Sequence, residues 1–389
     1  MSRLLMLYDE PSATLDQLEK TFIRFASRYG CTLTVRSVNK VKKTDIFEND
    51  VVMAVRGETP LMCCWQRVAR INRKTVIYYL DDDLKDIDKS SGRFPPRKKW
   101  VVKCVANSDI LVTPSPLIAE EYKELLESNK VVLLNTPVPP EDIIDIKKSA
   151  DDIKIVYAAC GAHAPTFEKL ISPILPELFD RYGDRLEIHF IGVHPTVDVG
   201  KYNDKIVYYP FMPLDDYYDH MRANFYDIGL SPLVTDHFTE RKYFNKYIEY
   251  ARLGICGIYS DVMPYKLVIE NGVNGYFAEN TPDSWLDVIS ETIDNRAERE
   301  AVAATAQEHL KKEFNEAKIF EDLKRDIPQL TEAGSDAAEK KWPCGIVFCK
   351  IRHRIFRLRD SIHLVFFNLF HIGFAKTVKK ILNRRGRRK

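Results

Sequence analysis

Short apolar segments of strand length alternate with amphipathic segments of helix length along this chain, in two series. The first series runs from RLLMLYD (3–9) to KVVLLNTPV (130–138), and the second from IKIVYAAC (153–160) to TPDSWLDVISETIDN (281–295). Buried strands joined by helices are typical of parallel, doubly wound sheets. The prolines of TPVPPEDI (136–143) interrupt the alternation, because proline fixes φ and lacks a backbone donor. The pattern therefore predicts an α/β protein with two Rossmann-like domains that face one another across a cleft.

The length of the chain agrees with two domains. It has 389 residues, and a single hydrophobic core stops growing at roughly 250–300 residues. We assign 1–145 to a first Rossmann-like domain, 150–330 to a second, and 340–389 to a basic amphipathic helical tail. Ligands of such sheets bind at the carboxyl ends of the strands. Two facing domains would therefore hold a donor and an acceptor in one crevice.

Cysteine usage and the N-terminal segment indicate a cellular location. The eight cysteines form no C-x-x-C pairs with partner histidines, so neither a zinc site nor a disulfide framework is indicated. The opening MSRLLMLYDEPS has only a short apolar run before acidic residues, which does not fit a secretory signal. We therefore expect a reducing, cytoplasmic location.

The segment RKYFNKYIEYARLGICGIYSD (241–261) contains two lysines and a glutamate at the spacing of one helical face. Lys242, Lys246 and Glu249 are related as i, i+4 and i+7, which predicts that they share one face of a helix. A short apolar strand follows directly. The alternative interpretation is an ordinary solvent-exposed lysine pair with a helical glutamate partner.

The second half of the chain resembles nucleotide-sugar glycosyltransferases of the GT-B fold, in particular the large retaining family four and its polysaccharide-synthesis relatives. The resemblance lies in IVYAACGAHAPTFEKLISPILPELFDRYGDRLEIHFIG (155–192), FMPLDDYYDHMRANFYDIGLSPL (211–233) and FTERKYFNKYIEYARLGICGIYSDVMPYKLVIENGVNGYFAENTPDSWLDVI (238–289). The first half is similar more loosely, through VVMAVRG (51–57) and VIYYLDDDL (76–84). The resemblance implies transfer of a hexosyl or deoxyhexosyl group with retention of configuration and without a metal.

The resemblance also implies which residues bind the donor. Lys242 and Lys246, near a helix N-terminus, would supply positive charge to the phosphate oxygens of a nucleoside diphosphate, and Glu249 would accept the ribose hydroxyls. Many retaining relatives place another glutamate eight residues earlier, to contact the donor sugar, but this chain has Arg241 there. Gly161, which has no side chain, would let the backbone approach a phosphate closely.

Three further residues are weaker candidates in the second domain. His163 follows the first strand of that domain and would contact the donor or the acceptor, and we include it among the catalytic candidates. The alternative is an exposed loop histidine. Phe211 and Met212 occupy the PFMP segment, where the family positions the nucleobase mostly through its backbone.

The acidic run LDDDL (80–84) ends a predicted strand of the first domain. Asp82 and Asp83 are candidates for a catalytic base, and Asp81 and Arg56 for acceptor binding. The run also contains the D-x-D pattern that binds manganese in the other large glycosyltransferase fold, although that fold has no second nucleotide-type domain. We expect no metal and no cofactor. An acidic turn that caps the next helix remains the alternative.

The C-terminal segment is strongly basic. Residues 340–389 hold 15 lysines and arginines and one acid, Asp360, whereas the remainder carries 43 basic and 55 acidic residues. The uncharged run SIHLVFFNLFHIGFA (361–375) is shorter than the roughly 20 residues that span a bilayer. Apolar residues between basic clusters favour a helix in the headgroup layer of an anionic membrane. A dimerisation helix and nucleic-acid binding are the alternatives, but no nucleic-acid motif accompanies the segment.

Together these patterns predict a glycosyltransferase on the inner face of the cell membrane. It would move a sugar from a nucleotide-sugar donor to a lipid-linked glycan during polysaccharide biosynthesis (capsule, O-antigen or cell-wall glycan). One alternative is a catalytically degenerate GT-B scaffold protein, which the arginine at position 241 would suit. The other is a nucleotide-sugar 2-epimerase, which would need no acceptor.

Overall fold

The computed structural model describes residues 1–87, 94–144, 152–334, 340–343, 345–372 and 374. The chain divides into two compact units. Unit 1 comprises Met1–Leu134 together with the described residues from Glu321 onward, and unit 2 comprises Asn135–Phe320. The break between them lies just ahead of the proline-rich segment. Unit 2 therefore ends at Phe320, and the described chain from Glu321 onward belongs to unit 1 again.

Unit 1 is built on a parallel sheet of six strands. Its strands are β1 Arg3–Tyr8, β2 Thr32–Ser37, β3 Val51–Val55, β4 Thr75–Tyr79, β5 Ile110–Thr113 and β6 Val131–Leu133. The helices that connect them are α1 Ala13–Tyr29, α2 Lys43–Phe47, α3 Pro60–Ile71, α4 Arg97–Ala106 and α5 Pro116–Tyr122. The strands lie in the order β2-β1-β3-β4-β5-β6, so the chain changes direction across the sheet between β1 and β3. In doubly wound sheets such a switch point opens a crevice at the carboxyl edge.

Unit 2 repeats this design with a second parallel sheet of six strands. Its strands are β7 Ile153–Ala158, β8 Leu186–Ile191, β9 Ile206–Tyr209, β10 Ile228–Ser231, β11 Cys256–Ser260 and β12 Tyr276–Ala278. Its helices are α6 Ala164–Leu170, α7 Leu175–Tyr182, α8 Leu214–Asn224, α9 His237–Glu240, α10 Asn245–Arg252, α11 Pro282–Asp294 and α12 Arg296–Glu313. The order β12-β11-β10-β7-β8-β9 places the switch point between β7 and β10.

Local sequence explains where several of these elements begin and end. The Ser12 side chain accepts a hydrogen bond from the Leu15 amide at the start of α1, and Gly30, with φ of 68°, ends that helix. Thr59 caps α3 in the same way, and Pro60 occupies its first turn. Every residue of β3 is buried, as expected for a central strand of a parallel sheet covered on both faces. The predicted α/β class with two Rossmann-like units is confirmed.

Two C-terminal helices complete the described chain, α13 Glu316–Asp326 and α14 Ile346–Ile372. The predicted helical tail is therefore present, but its first half is not a free appendage. Ile346 and Phe356 are buried in the core of unit 1, and the Phe356 ring lies 6.5 Å from the ring of Trp100. No helix in the described part of the chain is long and apolar enough to cross a membrane. Residues 375–389 of the predicted tail lie outside the described residues.

Candidate functional site

The lysine-rich segment differs from its prediction in one respect. Helix α10 begins at Asn245, after Phe244 in its N-cap position, so Lys242 lies in the preceding turn and does not share the helical face. The reason is packing, because Tyr243 and Phe244 are both buried and the Phe244 ring lies 6.0 Å from the ring of Phe314. Lys246 and Glu249 do lie within α10, one turn apart.

A close contact with β10 determines how α10 is seated. The Tyr250 hydroxyl donates a hydrogen bond of 2.8 Å to the carbonyl of Leu230, and Tyr250 is fully buried. A Cβ atom at Gly229 would lie 2.6 Å from the Tyr250 ring, so glycine is needed there for the ring to lie against the strand. Lys246, one turn before Tyr250, lies at the edge of this buried face, with its Nζ atom 5.7 Å from the centre of the Tyr250 ring, and Glu249 lies beside it.

Lys246, Glu249 and Tyr217 form a polar cluster at the start of α10. The Lys246 Nζ atom lies 2.7 Å from Glu249 Oε1 and 3.4 Å from the Tyr217 hydroxyl. Tyr217, on α8, also donates a hydrogen bond to Glu249. Burial and then the neighbouring Glu249 charge raise the pKa of Tyr217 well above its ordinary value. The phenol therefore stays protonated at neutral pH and remains a donor to the carboxylate.

His163 and the two lysines lie within electrostatic range of one another at the switch point of unit 2. His163 follows β7, and Lys242 follows β10, the two strands that flank that point. Burial, together with the smaller effect of the Lys242 and Lys246 charges, lowers the pKa of the His163 imidazole to about 4. Within the described chain Lys242 forms no ion pair, and its Nζ atom lies 5.2 Å from the centre of the Phe238 ring. The structure thus brings these three predicted residues into one region, and their role in donor binding stays a prediction.

The other predicted donor residues have the following positions. A Cβ atom at Gly161 would meet nothing within 4 Å, so the turn before α6 borders open space. Phe211, just after β9, has 76% of its surface exposed and lies beside Gly192, which follows β8; Met212 is half-buried. The Arg241 Nη1 atom donates a hydrogen bond of 2.9 Å to the carbonyl of His237.

The predicted acceptor residues meet at the carboxyl edge of the unit 1 sheet. The Arg56 Nη1 atom lies 2.9 Å from Asp81 Oδ1 and 3.0 Å from Asp82 Oδ2, and it donates a further bond of 3.1 Å to Thr14. Arg56 has φ of 49°, a left-handed conformation that is costly for a residue with a side chain. Such strain is concentrated at functional positions. This cluster lies beside the switch point between β1 and β3.

Asp83 occupies a different environment from its two neighbours. Its side chain is fully buried and accepts hydrogen bonds from the Tyr122 hydroxyl and from the Lys85 amide. These contacts fix the turn after β4. The next described helix, α4, begins at Arg97 without a side-chain cap, so Asp83 does not cap it as the alternative interpretation expects. A catalytic base needs access to its substrate, and Asp83 has none in this structure. Asp82, by contrast, is partly exposed.

Two residues of these clusters were not predicted from the sequence. Tyr217 lies 29 positions before Lys246, and Thr14 lies 42 positions before Arg56. Both contacts depend on the way in which helices pack against the sheets, and no local pattern marks them. The acidic first turn of α8, with Asp215 and Asp216, indicated a helix start but not the position of the tyrosine.

Solved structures of several bacterial proteins are similar to this chain in fold. The chain is similar to the Anabaena protein HepE in complex with UDP, at 13% identity, with 84% of this chain and 100% of that chain covered and a TM-score of 0.59. It is similar to sucrose-phosphate synthase of Thermosynechococcus elongatus, at 8% identity, with coverage of 85% and 99% and a TM-score of 0.62. A Listeria monocytogenes protein assigned as a UDP-N-acetylglucosamine 2-epimerase matches at 11% identity, with coverage of 86% and 100% and a TM-score of 0.55.

These likenesses concern the fold. No protein-family model matches the chain, and no curated protein matches it significantly. Identities of 8–13% over nearly the whole length of the solved structures show a shared architecture, and they confirm the predicted GT-B fold. Activity does not follow from fold alone, so the function must be argued from the two clusters of side chains.

Proposed function

We propose that this protein is a glycosyltransferase that takes its sugar from a nucleotide-sugar donor bound at the switch point of unit 2. The observation that carries the proposal is the proximity of Lys242 and Lys246 to His163 beside β7 and β10. Two lysines next to a neutral histidine leave an excess of positive charge, which suits a diphosphate. The likeness to a protein solved with UDP supports a nucleotide ligand.

Each residue of this cluster has a distinct role in the proposal. Lys242 and Lys246 stabilise the negative charge that develops on the departing nucleoside diphosphate, an electrostatic role that side chains can supply without a metal. Glu249, fixed by Tyr217, accepts hydrogen bonds from the ribose. Because burial keeps His163 neutral at pH 7, it acts as a hydrogen-bond donor and adds no charge. Phe211, exposed after β9, offers a surface for the nucleobase.

The acceptor is assigned to unit 1. The cluster of Arg56, Asp81 and Asp82 combines a guanidinium with two carboxylates, which suits the hydroxyl groups of a glycan. Asp82 is the more accessible of the two carboxylates and takes the role of catalytic base. We further propose retention of configuration, a lipid-linked glycan acceptor and a place in polysaccharide biosynthesis at the inner face of the membrane. The sequence resemblance and the exposed apolar side chains of α14 support these finer points.

Calorimetric titration with UDP, GDP and dTDP and their common sugar conjugates tests the donor site. We expect one nucleotide to bind and the Lys246→Ala variant to bind it at least about tenfold more weakly, since a hydrogen bond to a charged group contributes roughly 1.5–3 kcal/mol. Lys311→Ala is the matched control, because Lys311 also lies 2.7 Å from a glutamate in an i,i+3 pair. Binding of no nucleotide would contradict the proposal and favour a scaffold protein. Unchanged affinity in the Lys246→Ala variant would contradict the assigned site.

A nucleotide-sugar 2-epimerase is the second candidate, favoured by the likeness to the Listeria protein. An epimerase binds the same class of donor but converts it without an acceptor. Incubation of the protein with the sugar nucleotide that binds, followed by NMR of the sugar ring protons, separates the two reactions. A new epimer in the absence of any acceptor would favour the epimerase, and an unchanged donor would favour the transferase.

A further inference from the structure

The outward face of α14 carries a row of apolar side chains. Ile351, Ile355, Leu358 and Ile362 are 49%, 55%, 62% and 46% exposed. Their spacing of three or four residues places them on one side of the helix, and Phe366, 56% exposed, continues the row. Large exposed apolar patches on soluble proteins mark interaction sites. We call these five residues the apolar row.

The opposite face of α14 is fixed to unit 1, so the row cannot turn inward. Ile346 and Phe356 are buried in the unit 1 core. One turn beyond Phe356, Asp360 pairs with the Arg97 guanidinium, with an Nε to Oδ1 distance of 3.1 Å. Arg97 also pairs with Glu58, which follows β3. The helix is therefore held by apolar contacts and by a largely buried ion pair.

Cations lie on both sides of the apolar row. At 3.6 residues per turn, Lys350 and Arg354 lie along one side of it, and Arg352 and Arg359 along the other, and all four are exposed. Asp360 is the one acidic side chain on the described part of α14, and Arg97 neutralises it. The exposed face thus combines apolar side chains at its centre with uncompensated positive charge at its edges.

We infer that the apolar row of α14 binds the surface of an anionic lipid bilayer, with the helix in the plane of the membrane. The isoleucines, leucine and phenylalanine would enter the boundary between headgroups and acyl chains, and the flanking cations would contact lipid phosphates. The chain beyond residue 375 adds eight lysines and arginines and no acids in its sequence. Membrane binding itself does not depend on the proposed function. Only its benefit rests on that function, because binding would bring unit 1 close to a lipid-linked acceptor.

Charge disfavours a second copy of the chain as the occupant. If two α14 helices packed row against row, Lys350, Arg352, Arg354 and Arg359 of each copy would approach those of the other. No acidic side chain on the described exposed face could pair with them, and like charges across an interface are destabilising. An anionic lipid surface accommodates both the apolar side chains of the row and the cations on either side of it.

Sedimentation of the full chain with lipid vesicles tests this inference. We expect binding to vesicles of phosphatidylcholine mixed with phosphatidylglycerol, weaker binding to phosphatidylcholine alone, and a decrease with added salt. The double variant Ile351→Glu/Ile355→Glu should bind the anionic vesicles at least about tenfold more weakly, since it removes two apolar side chains from the row and adds two charges that anionic lipid repels. Ile23→Glu is the matched control, because Ile23 on α1 is 53% exposed and belongs to the same unit.

Two outcomes would overturn the inference. In the first, the double variant binds anionic vesicles as tightly as the unsubstituted chain. In the second, the unsubstituted chain binds no vesicle and elutes from a sizing column as a dimer that the double variant dissociates, which would identify a second copy as the occupant. The vesicle assay contains no nucleotide, so a negative result in it says nothing against donor binding. Nucleotide titration of the double variant then shows whether its donor site is intact.

Discussion

The Nζ atom of Lys246 lies 2.7 Å from the Oε1 atom of Glu249 and 5.7 Å from the centre of the Tyr250 ring that seats α10 on its sheet. The glutamate side chain is 12% exposed and the lysine side chain 25% exposed, so both are partly removed from water. An incoming diphosphate would compete with the glutamate for the lysine. The pair therefore holds Lys246 in place before the donor arrives.

Replacement of Glu249 by glutamine should weaken recognition of the ribose. The amide retains the shape of the side chain but not its charge, and a hydrogen bond to a charged group contributes about 1.5–3 kcal/mol. We expect the unsubstituted chain to prefer a ribonucleotide over its 2′-deoxy form by about tenfold or more, and the Glu249→Gln variant to lose most of that preference. Glu308→Gln, at the matched i,i+3 pair on α12, should retain it. An equal preference in the Glu249→Gln variant and the unsubstituted chain would exclude a ribose contact.

The lowered pKa of His163 predicts a specific dependence of stability on pH. The pKa falls from its ordinary value of 6.5 to about 4 in the folded chain, so the unfolded chain binds more protons between these values. Stability contributed by the neutral imidazole is therefore present above pH 6.5 and is lost as pH falls towards 4. The His163→Asn variant should show a smaller decrease in the free energy of unfolding over this range, by at most about 1.4 kcal/mol per pH unit.

Urea unfolding at several pH values measures this slope. The exposed His194, which stacks on Tyr208, provides the control variant His194→Asn, and we expect its slope to match that of the unsubstituted chain. If His163→Asn leaves the slope unchanged as well, the imidazole is not buried beside the two lysines as described.

Substitution of Gly229 by alanine should disturb α10. The new Cβ atom would lie 2.6 Å from the buried Tyr250 ring, and such overpacking costs about 1–3 kcal/mol. Because Tyr250 seats the helix that carries Lys246, nucleotide affinity should fall together with the free energy of unfolding. Gly345→Ala, where a Cβ atom meets nothing within 4 Å, should change neither quantity. Full stability in the Gly229→Ala variant would show that α10 does not lie this close to β10.

Loss of the Arg97 side chain should loosen α14. The guanidinium lies between the carboxylates of Glu58 and Asp360, and the three side chains are only 11–16% exposed. Removing one partner from a buried ion pair costs about 3–5 kcal/mol. We therefore expect Arg97→Ala to destabilise unit 1 and to accelerate amide hydrogen exchange along α14.

Arg325 supplies the comparison for this prediction. It also pairs with two carboxylates, those of Asp322 and Asp326, but its side chain is 67% exposed. Exposed pairs contribute about 0–1 kcal/mol, so the Arg325→Ala variant should exchange like the unsubstituted chain. Equal effects of the two substitutions would show that the Arg97 ion pairs do not anchor the helix.

The strand and helix pattern predicted the buried strands of both sheets, since these are continuous apolar segments. It did not mark β2, the edge strand of unit 1, whose residues TLTVRS are mostly polar and at most partly buried. The i,i+3 spacing of Lys246 and Glu249 was likewise readable, because it lies within one helix. The start of that helix could not be predicted, since it depends on the packing of Phe244 against a residue far along the chain, Phe314. Similarly, α14 has two apolar faces, and the sequence does not indicate that Phe356 is buried whereas Ile355 is exposed.

The central claim is that a nucleoside diphosphate binds at the switch point of unit 2. A crystal structure of the full chain with the nucleotide selected by titration tests it most directly. We predict a phosphate oxygen within hydrogen-bonding distance of the Lys246 Nζ atom, the other phosphate beside the turn that contains Gly161 and His163, and the ribose on Glu249. A nucleotide bound elsewhere, with Lys246 still paired only to Glu249 and Tyr217, would contradict the claim.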